Sequence, residues 1–436
     1  MTTQDPRGME RRDLAVWLAI VAVGLAMAAT GVAGGAALGT DAAPFLGVYH
    51  LVEANPTALA APAVAVAVLA VARRRFAARL SWRRVLWLSY LASLAWQLAL
   101  AVMPGTEGLT RYLTDQDGYR PQLTGIGSPA DLLAAVSDPA NPLSTGMTGR
   151  PPGSVLSLWA VTSLPLPDAA LGALWAAMAA TVVPLTLLAA RSTCGPVAAR
   201  RLAPLLILAP WAIWLTVGPD AVTAVLAAAA LAAAAHASHR RRHGWSATIW
   251  AVASGLLLAS ATMFAYLAAW FGLSIVCLYF ARRRPWHNLA TGLGALIPLG
   301  LVQLAGFDWA TGLTVAYHGF LERIEFNRSV LWWIPLSLLV LILVCGPPIV
   351  SSARKMRNTP AWPFLVGSAA AVVFSVVMGT ARGGVEQTWL PLFPWLMIAA
   401  TAPARPGGPP LPFPWMPAAA TAATGLVIQA VLVPPW

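Results

Sequence analysis

With 436 residues, of which 58% are hydrophobic and only 10% charged, the chain has too few charges to clothe a water-facing surface, for which about 25% is usual. Its net charge of +12 would suggest nucleic acid in a soluble protein, but here the arginines stand in short loops between apolar blocks, as membrane orientation requires, and a nucleic-acid partner is excluded. The blocks approach the roughly 20 residues that cross a hydrocarbon core, and backbone groups in lipid must be satisfied within their own segment, so helices are expected.

The first block, Leu14 to Leu38, follows Arg7, Arg11 and Arg12. It is too long for a signal peptide and lacks a clear cleavage site, so it reads as a retained signal anchor. About thirteen spans are predicted, starting near residues 14, 56, 85, 168, 202, 219, 246, 263, 288, 330, 362, 388 and 413. The expected fold is an all-α, polytopic transmembrane bundle in three parts. Residues 1–84 form an N-terminal pair of spans with a basic loop. Residues 85–402 form the core, with long outer loops at about 104–153 and 307–329. Residues 403–436 form a Pro/Gly-rich linker and a last span. No internal repeat is visible.

Charge fixes the orientation. With the N-terminus in the cytoplasm, only Arg111, Arg120, Arg150, Arg323, Arg328 and Arg382 of the 28 basic residues fall outside. Of the 16 acidic residues, only Asp5, Glu10 and Asp13 fall inside. This is the positive-inside pattern of a multi-pass plasma-membrane protein. The inner loops are short, with no Walker motif and no dinucleotide fingerprint.

The first outer loop carries Asp115, Asp117 and Tyr119. Two carboxylates beside an aromatic can hold a divalent cation or act as a general base, and they can equally be a solvated acidic loop. The loop ends Gly149-Arg150-Pro151-Pro152-Gly153. Proline opens a helix, and an arginine at a helix start is misplaced for the dipole, so Arg150 suits a phosphate or a lipid headgroup. Asp220, in the tight turn Gly218-Pro219-Asp220, is expected to cap the next helix.

His236, His239 and His243 accompany Arg240, Arg241 and Arg242, which reads as a polybasic loop rather than a metal site. His318, Glu322, Arg323, Glu325 and Arg328, interleaved with Tyr317, Phe320 and Phe326, resemble an interfacial amphipathic helix, either solvated or facing a sugar or lipid headgroup. Arg382 and Glu386, four apart near Trp389 and Trp395, are expected to pair on one helical face. Cys194, Cys277 and Cys345 form no metal or disulfide pattern.

Taken in order, these features resemble the GT-C superfamily of membrane glycosyltransferases, nearest to actinobacterial multi-spanning members. Such proteins show a GHPPG-like motif at the end of the first loop and an Arg-Gly-Glu-Val-Glu-Arg-x-Trp-Leu-Pro stretch near the C-terminal end. This chain reads Gly149-Arg150-Pro151-Pro152-Gly153 and Arg382-Gly383-Gly384-Val385-Glu386-Gln387-Thr388-Trp389-Leu390-Pro391. The likeness covers about residues 85 to 402, and departs from the family where Arg150 replaces histidine and Gly384 replaces glutamate.

The resemblance implies transfer of a sugar from a polyprenyl-phosphate donor to a cell-envelope acceptor on the outer face. It implies Asp117 or Asp115 as base or as ligand of a divalent cation, magnesium or manganese. It implies Arg150 and Arg382 at the lipid phosphate, Glu386 orienting Arg382, and Tyr119 and His318 as further substrate contacts. Two other readings stand beside it: a transporter or flippase of a lipid-linked or small substrate, and a non-catalytic membrane partner of an envelope enzyme.

Overall fold

The computed structural model describes residues 6–39, 45–49, 51–52, 55–74, 79–114, 123, 126–132, 150–216, 218–241, 243–322, 328–356, 358–403 and 413–433. Helix α1 is Pro6–Ala33, α2 Ala60–Arg73 and α3 Trp82–Ala101. Then come α4 Pro152–Thr162, α5 Asp168–Ala179, α6 Val182–Cys194, α7 Pro196–Ile207, α8 Pro219–Ala237 and α9 Trp245–Thr262. They are followed by α10 Phe271–Ala281, α11 His287–Leu304, α12 Trp309–Leu321, α13 Val330–Cys345, α14 Pro348–Arg354, α15 Trp362–Val377 and α16 Trp415–Val431. The only strands among the described residues are β1 Val48–Tyr49 and β2 Leu432–Val433, paired antiparallel.

Local chemistry sets the helix starts. Asn55 accepts from the Ala58 amide at 2.8 Å, opening the 3-10 turn Pro56–Leu59 that leads into α2. Asp308 accepts from the Thr311 amide at 2.6 Å at the start of α12. Each satisfies an amide that the helix leaves open. Prolines 152, 196, 219 and 348 stand first in their helices, where the missing N–H costs no hydrogen bond.

Five stretches among the described residues are long and apolar enough to cross a membrane: Gly8–Ala33, Pro56–Arg73, Asp168–Cys194, Pro219–Ala237 and Trp245–Thr262. Counting the bent pairs α11 with α12, at 73°, and α13 with α14, at 110°, as single spans makes seven. The chain is an all-helical membrane protein.

The packing agrees with that medium. Helix α8 buries Ala221, Ala224, Ala227, Ala228, Leu231, Ala234 and Ala235. Its small side chains let α6 and α9 lie close on either side. Helices α9 and α11 meet backbone to backbone, because Gly255 lies on the Thr291 carbonyl and Gly294 on the Val252 carbonyl, with no room for a Cβ at either. The outer face of α11 is different: Leu289, Leu293, Leu296, Ile297, Leu301 and Leu304 are 49–86% exposed. Such a continuous apolar stripe suits lipid, not water.

The N-terminal helices belong to the same bundle. Helix α1 lies along α13, with the Trp17 indole donating to the Ile342 carbonyl at 3.0 Å. Helix α2 lies against α3 and α16.

Contacts between loops fall into two separate sets. At one end, Arg354 binds Asp13 at 2.8 Å, Arg200 donates to the Leu80 carbonyl at 2.8 Å, Arg282 donates to the Ser192 carbonyl at 2.6 Å, and Lys355 donates to the Ala400 carbonyl at 2.6 Å. At the other end, Asn55 donates to Met103, Arg150 binds Asp220, Trp309 donates to Thr262, and Arg328 donates to Arg382. Every one of these ties joins two loops that charge assigns to the same side.

The structure also alters the sequence reading of the loops. Between the first long loop and the span expected near 168, the helix start expected at Pro151-Pro152 becomes the 11-residue α4. The second long loop contains α12, none of whose described side chains is buried.

Candidate functional site

Three turns converge at the end of the bundle where charge places the outer loops. In the first, Arg150-Pro151-Pro152-Gly153 opens α4. Pro152 begins the helix, and the Gly153 amide donates to the Met263 carbonyl at 2.9 Å. A Cβ at Gly153 would stand 2.6 Å from that same oxygen, so the glycine permits the approach. Ser154 donates its hydroxyl to the next carbonyl, Phe264.

The second turn is 218–220. The Trp175 indole donates to the Gly218 carbonyl at 2.8 Å, fixing the turn against α5. Asp220 does not cap α8, contrary to the sequence expectation. The cap residue is Gly218, with no side-chain hydrogen bond, and the Asp220 carboxylate instead accepts from Arg150 at 2.8 Å. The physical reason is competition: a guanidinium within reach offers a charge-assisted bond stronger than a neutral amide does.

The third turn, 262–266, carries the carbonyls that Gly153 and Ser154 use. The Tyr266 ring meets Trp309 edge-on at 5.3 Å, and the Trp309 indole donates to the Thr262 carbonyl at 3.2 Å. That places the start of α12 over the same turn. Asp308, which caps α12, has its carboxyl held below the usual range, chiefly by the Thr311 amide and hydroxyl.

A second polar cluster surrounds Arg382. Arg328 donates to the Arg382 carbonyl at 3.0 Å, and Arg382 returns a longer contact of 3.5 Å to the Arg328 carbonyl. Arg328 is buried, with its guanidinium 5.9 Å from the Trp333 ring centre. Its burial separates it from the exposed amphipathic group in which the sequence placed it. Glu386 is 2% exposed and lines a small cavity with Arg328, Trp333, Gly383, Leu38 and Phe45.

Arg382 and Glu386 do not share a helix face, as their spacing suggested. Only Val385–Thr388 is helical, and Gly383 and Gly384 before it take φ of +116° and +63°. Gly384 stands where the backbone is left-handed. Its left-handed backbone strains any residue with a Cβ, and a glutamate there would cost about 1 kcal/mol.

Asp115, Asp117 and Tyr119 lie outside the described residues. Among the described residues, no three His, Cys, Asp or Glu side chains gather to hold a metal ion. His318 is exposed on α12, with its ring 6.4 Å from that of Tyr317. The His236 ring meets Trp250 edge-on at 4.8 Å.

Sequence reasoning missed Asp220 as the partner of Arg150 and Arg328 as the partner of Arg382. Nothing in the local spacing connects either pair. The only available signal was that all four residues were assigned to the same side. Comparison of the chain with protein-family profiles, with curated protein sequences and with solved structures gave no match in any of the three.

Proposed function

We propose that the chain is a GT-C-like membrane glycosyltransferase. It crosses the plasma membrane about thirteen times with its N-terminus in the cytoplasm, and it transfers a sugar from a polyprenyl-phosphate donor to a cell-envelope acceptor on the outer face. The observation that carries this reading is the Arg150-Pro151-Pro152-Gly153 turn, which docks through Gly153 and Ser154 onto the 263–264 carbonyls beside Asp220. A loop motif held this closely by two other turns fixes the Arg150 cation at this end of the bundle. The β1–β2 pairing also fits an odd number of crossings, since it brings the C-terminal end of α16 to the segment following α1.

In the proposed reaction, Asp117 or Asp115 takes the proton of an acceptor hydroxyl. The oxygen bonds to the anomeric carbon as the bond from that carbon to the phosphate oxygen breaks. Polyprenyl phosphate leaves with the electron pair, and a positive charge near the departing oxygen lowers the barrier. Arg150 and Arg382 are assigned to that phosphate, and His318 and Tyr119 to substrate contacts.

One observation favours the non-catalytic partner reading. The Arg150 charge is already matched by Asp220, so phosphate would have to compete with a carboxylate for it. The deciding experiment is radiolabel transfer from a panel of polyprenyl-phosphate sugars to envelope lipid extracts by the purified protein, with Asp117→Asn as control. Transfer that disappears in the variant supports the enzyme. No transfer from any donor, with the protein folded and lipid bound, supports the partner or transporter instead.

A further inference from the structure

At the opposite end of the bundle, two loops repeat one pattern. The α8–α9 loop reads Arg240-Arg241-Arg242-His243-Gly244-Trp245, and the α10–α11 loop reads Arg282-Arg283-Arg284-Pro285-Trp286. The loops touch, with Arg284 Nη2 3.3 Å from His243 Nδ1. The helices that follow them, α9 and α11, are the pair locked together at Gly255 and Gly294, so the two loops are held as one surface.

Four observations say what that surface faces. The chain carries no aspartate or glutamate between Asp220 and Asp308, so no acidic residue within this whole stretch offsets the arginines. Arg282 turns inward to the Ser192 carbonyl, whereas Arg240, Arg241, His243 and Arg283 are exposed. Trp245 and Trp286, each at the start of its helix, are 81% and 77% exposed. Indoles so exposed at the foot of lipid-facing helices sit at headgroup depth. Last, Arg283 takes a φ of +56°, one of only two non-glycine residues with positive φ among those described. This backbone state is costly for an arginine.

We propose that the Arg240/Arg241/Arg283 surface, flanked by Trp245 and Trp286, binds the phosphate headgroup of an anionic phospholipid in the leaflet at this end of the bundle. Basic pockets between transmembrane helices recognise such headgroups by charge, and paired indoles hold the glycerol and upper acyl region. The site is independent of the glycosyltransferase reading and lies at the other end of the molecule from it.

The test is native mass spectrometry of the full-length chain in detergent, titrated with phosphatidylglycerol or with phosphatidylcholine. Retention of phosphatidylglycerol is expected to exceed that of phosphatidylcholine by about tenfold or more, since each arginine near an anionic surface contributes roughly a fivefold factor. Arg240→Ala with Arg241→Ala should remove most of that preference. Arg283→Gly is the decisive variant: it relieves the backbone, so thermal stability should hold or rise while phosphatidylglycerol retention falls by about fivefold.

Arg83→Ala with Arg84→Ala, in the exposed first turn of α3 at the same end, should leave retention unchanged. Equal retention of the two lipids would overturn the proposal, as would an equal loss in the Arg83/Arg84 control or unchanged retention in Arg283→Gly. Displacement of the lipid by millimolar inorganic phosphate would make this a soluble-phosphate site, and would overturn the lipid assignment.

Discussion

Arg150 and Asp220, 70 residues apart in sequence, meet at 2.8 Å, with side-chain exposures of 27% and 9%. The pair ties the start of α4 to the start of α8, whose side chains are largely buried. Removing one partner strands the other in a half-buried setting. Asp220→Asn or Arg150→Ala alone should each cost about 1–3 kcal/mol, less than a fully buried pair because water still reaches the arginine. The double variant should cost no more than the worse single one. Chemical denaturation in detergent would check this, and strictly additive losses would argue that the contact contributes little.

The α9–α11 seam separates glycines by role. Gly255→Ala and Gly294→Ala place a methyl group against a carbonyl of the facing helix, and each should destabilise by about 1–3 kcal/mol. Gly292→Ala and Gly300→Ala, on the same helix α11, point into open space. They should be neutral or stabilising by up to about 1 kcal/mol, because alanine is the better helix former. Melting temperatures of the four variants decide the matter, and a uniform response would contradict this packing.

Arg328 and Arg382 each donate from the guanidinium to the other's backbone carbonyl, so each positions the other's turn. Arg328→Ala should cost about 1–3 kcal/mol, since the Arg382 carbonyl loses its donor and the space filled by a buried side chain is left empty. If the Arg382 turn binds a lipid phosphate, Arg328→Ala should also weaken polyprenyl-phosphate binding without itself touching the ligand, and should do so non-additively with Arg382→Ala. Unchanged lipid affinity in a folded Arg328→Ala protein would separate that turn from the site.

Lys355, just past the end of α14, is buried and donates to the carbonyls of Ala399 and Ala400. Burial, helped by the neighbouring Arg354 charge, pushes its pKa down from 10.5 to about 8. Between these two values the unfolded chain holds a proton that the folded chain has released, so stability should rise with pH across that window and level off outside it. Lys355→Met should flatten this part of a stability–pH curve. A curve of unchanged slope in the variant would mean that another group is responsible.

A reporter fused after Arg242 should read as cytoplasmic, and one inserted near Asp131 as external. The reverse result would remove both the orientation and the count of about thirteen spans.

Much of the helical layout was legible. Expected starts near residues 56, 168, 219, 246, 288, 330 and 362 match helical segments beginning at Pro56, Asp168, Pro219, Trp245, His287, Val330 and Trp362. Prolines, caps and apolar blocks are local signals, and local signals fix helix ends. What was not legible was partnership. The capping role expected of Asp220 failed because its strongest partner, Arg150, lies in another loop. The helix face expected of Arg382 and Glu386 failed because two glycines in unusual backbone states interrupt it. Helix α4 starts where Pro151-Pro152 led one to be expected, and at 11 residues it is too short to register as a span.

The strand pair also sets an order of events in biosynthesis. Val48 and Tyr49 leave the ribosome early, yet their partners Leu432 and Val433 are made only after all the intervening helices. The segment after α1 must therefore wait, with its backbone unpaired, while the rest of the bundle inserts. The clasp between the two closes last, so the early helices are threaded before the seam that joins first to last is sealed.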